Sequence, residues 1–216
     1  MNKKKPSFTI SGALREGWRL TKDNIGFLIV YQIILYFILF LTESTPGNWK
    51  WALLSFLGWI VIILGKMGLY NSTLLITAGI KPRFDQFYQN WQMLFSWIVS
   101  SFLFGIMFVI GLVLLIVPGL YVWARYGFYP FFILDKKCGP LEALEQSSIA
   151  TQGIRWPVFL LFLACAGLDI LGVLFFGIGL LITVPITLLA LATVYRQIAN
   201  PSKQDNEPIQ LGEKKD

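Results

Sequence analysis

The sequence predicts an all-α polytopic membrane protein with six transmembrane helices, arranged as three hairpins linked by cytoplasmic interfacial helices. Apolar runs of membrane-spanning length recur along the chain, and Lys and Arg gather in alternate gaps between them. With 56% apolar residues, 14% charged residues and a mean hydropathy of +0.64, a soluble chain of 216 residues would expose more apolar surface than it could hide. In a bilayer that apolar surface would face lipid instead of water.

Six apolar runs define the predicted spans. The first would be about 26 Å long as a helix, close to the roughly 30 Å of a hydrocarbon core. If each run crosses once, both termini share one side with nearly all the basic residues, and Lys50 alone lies opposite. The positive-inside bias therefore predicts a multi-pass membrane protein with its N and C termini in the cytoplasm. The runs are Ile25–Leu41, Trp51–Leu64, Met93–Val117, Leu120–Leu134, Pro157–Leu174 and Ile178–Tyr195.

The chain divides into three parts. Residues 1–24 form a cytoplasmic N-terminus with an amphipathic helix over Phe8–Lys22, residues 25–198 form the membrane domain, and residues 199–216 form a polar tail that we expect to be disordered. Two more interfacial pieces are predicted, one from Lys81 and one from Pro140, where Pro begins a helix and Gly153 ends it.

The formal net charge of +6 is spread over the predicted cytoplasmic loops, and the chain has no recognisable nucleic-acid motif. We therefore expect the basic residues to contact anionic lipid headgroups, and we expect no nucleic-acid partner. A partner membrane protein or a homo-oligomer is compatible with the same pattern. The two cysteines, Cys138 and Cys165, predict no disulfide framework.

Catalytic chemistry has little support in the sequence. The chain has no His, which removes imidazole metal sites and His-dependent nucleophilic triads. Gly65-Lys66-Met67-Gly68 is not a phosphate loop, because no Ser or Thr follows the Lys. We expect a protein that is not an enzyme and that has no cofactor and no metal site.

The densest motif runs from the third predicted span to the start of the fifth. Pro118-Gly119 is interpreted as a tight helix reversal at the outer interface, because Pro lacks an N–H and Gly tolerates positive φ. An interfacial helix motif follows, spread over about 20 residues. Its members are Asp135, Gly139, Ala143, Leu144, Ser147 or Ser148, Thr151 and Gly153.

These residues resemble the pattern of bacterial inner-membrane families of unknown function: the YciC-like membrane proteins, and the membrane domain attached to some glycerophosphodiester phosphodiesterases. The resemblance covers about 45 residues well and the rest loosely. It implies a polytopic fold in the bacterial cytoplasmic (inner) membrane, and it supplies no catalytic residues.

Two charged residues lie inside predicted spans. Arg125 and Asp169 each fall about 8 Å below the predicted outer boundary, on the fourth and fifth spans. Because either charge alone is costly in a bilayer, we predict an intramembrane pair between them. The alternative is that each snorkels outward separately, which suits the long Arg stem better than Asp.

Two functions follow from these observations. The first is a non-enzymatic membrane protein that organises lipid or a partner membrane protein. The alternative is a small transporter or channel with a polar path near Arg125 and Asp169, which the helix-breaking prolines and polar residues within spans would suit.

Overall fold

A computed structural model describes residues 8–44, 49–84, 90–114, 116–174 and 177–199. These residues form α-helices and connecting turns, with no strand among them. The helices are α1 (Ile10–Asp23), α2 (Ile25–Glu43), α3 (Trp49–Thr77), α4 (Leu94–Leu114), α5 (Ile116–Tyr126), α6 (Tyr129–Lys136), α7 (Pro140–Ala150), α8 (Arg155–Leu174) and α9 (Leu180–Ala199). A short 3₁₀ turn, Trp91–Met93, precedes α4.

Five segments are long and apolar enough to cross a membrane. They correspond to α2, most of α3, α4 with its preceding turn, α8 and α9. The predicted spans at Ile25–Leu41, Trp51–Leu64, Met93–Val117, Pro157–Leu174 and Ile178–Tyr195 all coincide with these segments, although their ends differ. The all-α prediction is therefore confirmed for the described residues, which contain five candidate membrane spans where six were predicted.

The fourth predicted span, Leu120–Leu134, is not one helix. The chain breaks after Tyr126 and resumes at Tyr129, which divides the apolar run between α5 and α6. The reason is Pro130: in a continuous helix its ring would clash with the carbonyl of Tyr126, and it has no N–H to donate there. At the first turn of α6 the missing N–H costs nothing.

The return from α4 to α5 is antiparallel and very close. Gly111 on α4 faces Gly119 on α5. Ten residues earlier on α4, the Ser101 hydroxyl lies 3.0 Å from the hydroxyl of Tyr129, the first residue of α6. The chain therefore retraces about ten residues of α4, or about 15 Å, before it enters α6. The first six residues of α6 are all buried, so this short helix lies inside the fold.

α1 lies along α9 instead of standing apart from the bundle. Ala13, Gly17 and Thr21, spaced four residues apart, are its buried face. A Cβ on Gly17 would lie 2.6 Å from the Ile186 carbonyl oxygen, so the two helices approach as closely as a glycine allows. A helix over Phe8–Lys22 was predicted, and the structure forms one over Ile10–Asp23.

The remaining predictions concern the length of α3, the second interfacial piece, the C-terminal tail and α7. α3 continues without interruption past Lys66 to Thr77, beyond the predicted span Trp51–Leu64. The second predicted interfacial piece falls largely on residues 85–89, and the predicted tail on residues 200–216; both lie outside the described residues. In α7, Leu144 and Ser148 are buried, whereas Leu141 is 70% exposed and does not belong to the buried face.

Candidate functional site

The break between α5 and α6 is bound by hydroxyl groups of α7. A helix break leaves backbone groups without their usual partners, and in an apolar interior each such group is costly. Ser147 Oγ donates to the carbonyl oxygen of Arg125 at 3.2 Å, and the Thr151 hydroxyl donates to the same oxygen at 3.1 Å. The backbone N–H of Phe128 in turn donates to Ser147 Oγ at 3.3 Å.

Ser147 and Thr151 are fully buried, so water cannot replace these bonds. Ser147 lies on α7, and Thr151, four residues later, caps the C-terminal end of that helix. Both hydroxyls are therefore on one face of the helix. The Ser–Thr spacing of the sequence motif thus has a physical role: it supplies the hydrogen bonds that the interrupted helix cannot make for itself.

Arg125 lies at the same break and faces α7. Its Nε donates to Ser148 Oγ at 2.7 Å, and its guanidinium lies over the Tyr126 ring with 5.0 Å to the ring centroid. No carboxylate bonds to it within the described part of the chain.

Asp169 faces a different helix. Its Oδ2 accepts a hydrogen bond from Thr187 on α9 at 3.3 Å, and the Thr183 hydroxyl lies beside the same carboxyl without the geometry of a hydrogen bond. The predicted pairing of Arg125 with Asp169 is therefore wrong in this structure. The prediction compared depths along two spans, whereas in the structure Arg125 on α5 faces α7 and Asp169 on α8 faces α9.

The remaining motif residues hold α7 in place. Gly139 lies at its N-terminal cap and Pro140 at its first turn, while Ala143 and Leu144 are buried in the core. After the helix, Gly153 adopts φ 83°, which favours glycine and ends the segment as the sequence predicted.

Asp135 is placed at the end of α6 by a partner that sequence reasoning missed. The Tyr195 hydroxyl on α9 donates to Asp135 Oδ2 at 2.7 Å, and Lys136 Nζ lies 3.7 Å from the same oxygen. Nothing local in the sequence signals this bond, because the two residues are 60 positions apart.

Pro118 and Gly119 do not form the turn itself. Both lie in the first turns of α5, which begins at Ile116. Pro suits this place because an N–H there has no helical partner. Gly119 allows the close approach to Gly111 because it has no side chain. A Cβ on Gly119 would lie 2.9 Å from the Leu112 backbone nitrogen.

The small-residue face of α1 was also missed, although a signal for it existed. Ala13, Gly17 and Thr21 recur every four residues, which is the pattern of close helix packing in membranes. Ile10, Leu14 and Trp18 form a neighbouring apolar stripe of the same helix, and Trp18 is 43% exposed.

Outside the five span-length segments, burial raises the pKa of the Cys138 thiol, and the nearby negative charge of Glu142 adds to the effect. Its Sγ donates to the Phe132 carbonyl oxygen at 3.3 Å. Among the described residues, no group of three or more His, Cys, Asp or Glu side chains is placed to hold a metal ion.

The arrangement at the break therefore supports a rigid, hydroxyl-lined joint in a membrane protein, with one cationic side chain attached to it. Comparison of the chain with models of protein families, with curated proteins and with solved structures gave no significant match.

Proposed function

We propose that this multi-pass membrane protein is non-enzymatic and organises anionic lipid at the cytoplasmic face of a bacterial inner membrane. The observation that carries the proposal is the exposed face of α1. Arg15, Trp18 and Lys22 recur at three- and four-residue steps, Arg19 lies four residues after Arg15, and all four side chains are exposed.

This face lies opposite the residues that fix α1 to the bundle. Since Ala13, Gly17 and Thr21 pack inward on α9, the basic and aromatic side chains necessarily point away from it. Lys22 Nζ lies 5.6 Å from the centroid of the Trp18 ring, so a cation and an aromatic ring form one patch. Such a combination is typical of helices that bind the headgroup region.

The expected attraction is modest and electrostatic. Each cation near an anionic surface contributes about 1 kcal/mol, or about fivefold in local lipid preference. Arg19 contributes less, because its Nε already donates to Glu16 at 2.9 Å; the carboxylate of Glu16 also raises the pKa of Arg19. Arg15 and Lys22 should therefore carry most of the effect.

Lipid that copurifies with the protein tests the proposal. We expect the double variant Arg15→Gln/Lys22→Gln to retain a smaller anionic fraction of bound lipid than the wild type, and high salt to reduce that fraction in the wild type. The matched control is Lys66→Gln/Lys81→Gln, which removes two exposed cations outside α1. Equal losses in the two double variants would contradict a specific role for α1.

A second candidate function is transport, and it is favoured by the interrupted helix α5–α6. Transporters bind substrates at discontinuous helices, where the backbone faces other protein groups instead of lipid. Saturable solute flux in proteoliposomes that is lost in Arg125→Ala, with folding retained, would favour this function over lipid organisation.

The family assignment and the assembly belong to the same proposal. We also propose that the chain is related to the YciC-like proteins, and the support for this is the sequence pattern that includes Asp135, Gly139, Ser148 and Thr151. A partner membrane protein or a second copy of the chain would meet the broad apolar exterior of α2 and α4.

A further inference from the structure

Asp169 lies in a span-length helix without a cationic partner. No Lys or Arg among the described residues forms an ion pair with it. Its Oδ1 atom is buried and has no hydrogen-bond partner, while Oδ2 receives only the neutral hydroxyl of Thr187. An unpaired carboxylate at such a place is costly, so the site as built is short of one positive charge.

Two other buried oxygen atoms near this stretch of α9 have no partner. The Thr183 hydroxyl, one turn before Thr187, lies beside Asp169, and a Cβ on Gly172 would come within 2.5 Å of it. Gln32 on α2 donates through Nε2 to the Leu180 carbonyl oxygen at 3.1 Å, which leaves its Oε1 buried and unbonded.

The positions on α9 are regularly spaced. Leu180, Thr183 and Thr187 follow at three and four residues, so they share one side of the helix. Three helices, α2, α8 and α9, thus place neutral and acidic oxygen atoms along two turns of one face of α9. Hard monovalent cations prefer oxygen ligands, and intramembrane sites for Na⁺ and H⁺ use carboxylates, hydroxyls and carbonyls.

We infer that Asp169, Thr183 and Thr187 form an intramembrane site for a small monovalent cation, either H⁺ or Na⁺. The cation neutralises the carboxyl at Oδ1, the oxygen that has no hydrogen-bond partner among the described residues. The inference does not depend on lipid organisation by α1. It deepens the transport candidate by naming a ligand, and a binding measurement tests it whether or not any solute crosses.

Other ionisable groups around Asp169 do not supply the missing charge. Among the described residues, Cys165 on α8 and Tyr70 on α3 interact electrostatically with Asp169, and both are neutral when protonated. From α9, Arg196 donates to the Thr77 hydroxyl and the Leu74 carbonyl oxygen instead.

The charged residues of the remaining neighbours face elsewhere. α1 also packs against α8 and α9, and its Arg15, Arg19, Lys22 and Asp23 are exposed, while Glu16 is bonded to Arg19. On α5, Arg125 is bonded to Ser148.

Thermal unfolding of the full-length protein in nanodiscs tests the site. The midpoint is measured in NaCl, KCl and choline chloride at equal ionic strength, at mildly acidic and mildly alkaline pH. If Na⁺ is the ligand, it raises the wild-type midpoint at alkaline pH, and acidification weakens that response because H⁺ competes. If the ligand is H⁺ alone, acidification raises the midpoint and the three salts act alike.

Asp169→Asn should abolish either response, and the matched carboxyl-to-amide variant Glu145→Gln, on the exposed face of α7, should keep it. Because Asp169→Asn carries a risk of misfolding, Thr183→Val provides a second, nearly isosteric test. It should weaken the apparent affinity for the cation about tenfold. A response of the same size in wild type, Asp169→Asn and Thr183→Val, or no response to either ion in the wild type, would overturn the inference.

Discussion

At the residue scale, the most consequential side chains are neutral hydroxyls. Ser147 and Thr151 bond to the Arg125 carbonyl oxygen and, through Ser147, to the Phe128 N–H. A buried polar group that loses its partner costs more than the bond itself contributes. The break between α5 and α6 should therefore be sensitive to changes on α7 that remove no charge and almost no volume.

We expect Ser147→Ala and Thr151→Val each to lower the free energy of unfolding by about 1 kcal/mol, the usual size for hydrogen bonds in membrane bundles. The double variant should lose more than the sum, because the Arg125 carbonyl oxygen then keeps neither of its two donors from α7. Equilibrium unfolding in mixed micelles measures these differences. Gln146→Ala, on the exposed face of α7, is the control and should change little.

Cys138 gives a second prediction at this scale. Burial raises its pKa, so at neutral pH the thiol is protonated and less nucleophilic than a free cysteine. Maleimide labelling in a Cys165→Ala background should be slow at neutral pH, should accelerate as pH rises toward the raised pKa, and should become fast on unfolding. A cysteine introduced by Glu145→Cys should label quickly in the folded protein. Equal rates at the two positions would show that Cys138 is accessible.

At the scale of the element, glycine positions decide which helices approach. Gly111 and Gly119 bring α4 and α5 into backbone contact, and Gly17 does the same for α1 and α9. A helix interior otherwise disfavours glycine by about 0.5–1 kcal/mol relative to alanine. Where a Cβ meets only open space the glycine can be replaced with benefit, and where it meets backbone the helices must separate.

Gly111→Ala should destabilise the protein by about 1–3 kcal/mol, the range for overpacking, because its Cβ would lie 2.8 Å from the Gly119 backbone. Gly105→Ala on the same helix meets nothing within 4 Å and should be neutral or slightly stabilising. Unfolding curves of the two variants provide the comparison. A similar loss of stability in both would mean that the close contact of α4 and α5 is not needed.

At the scale of the whole molecule, α5 and α6 decide how many times the chain crosses the membrane. Five segments have the length and hydropathy of a span, and α5 with α6 retraces only part of α4. If α5 and α6 together complete one crossing, the count is even. If they form a re-entrant element that returns to the side from which α5 began, it is odd.

We predict an even count, with both termini on the cytoplasmic side, because the basic residues then fall almost entirely on one side. Reporter fusions at each end, one type active only in the cytoplasm and one only outside it, give the answer directly. Termini on opposite sides would identify α5–α6 as re-entrant and would also reassign the side to which Lys136 and Lys137 belong.

The sequence by itself determined the membrane class and the positions of five span-length segments, because hydropathy and length are local properties that a bilayer selects directly. It also determined the start and end of α7, through Pro140 and Gly153. Tertiary structure decided the rest. Hydropathy alone does not reveal a break inside an apolar run. The break in this run follows from the clash between the Pro130 ring and the carbonyl group four residues earlier. The partners of Arg125, Asp169 and Asp135 are set by which helix faces meet, so depth along a span could not predict them.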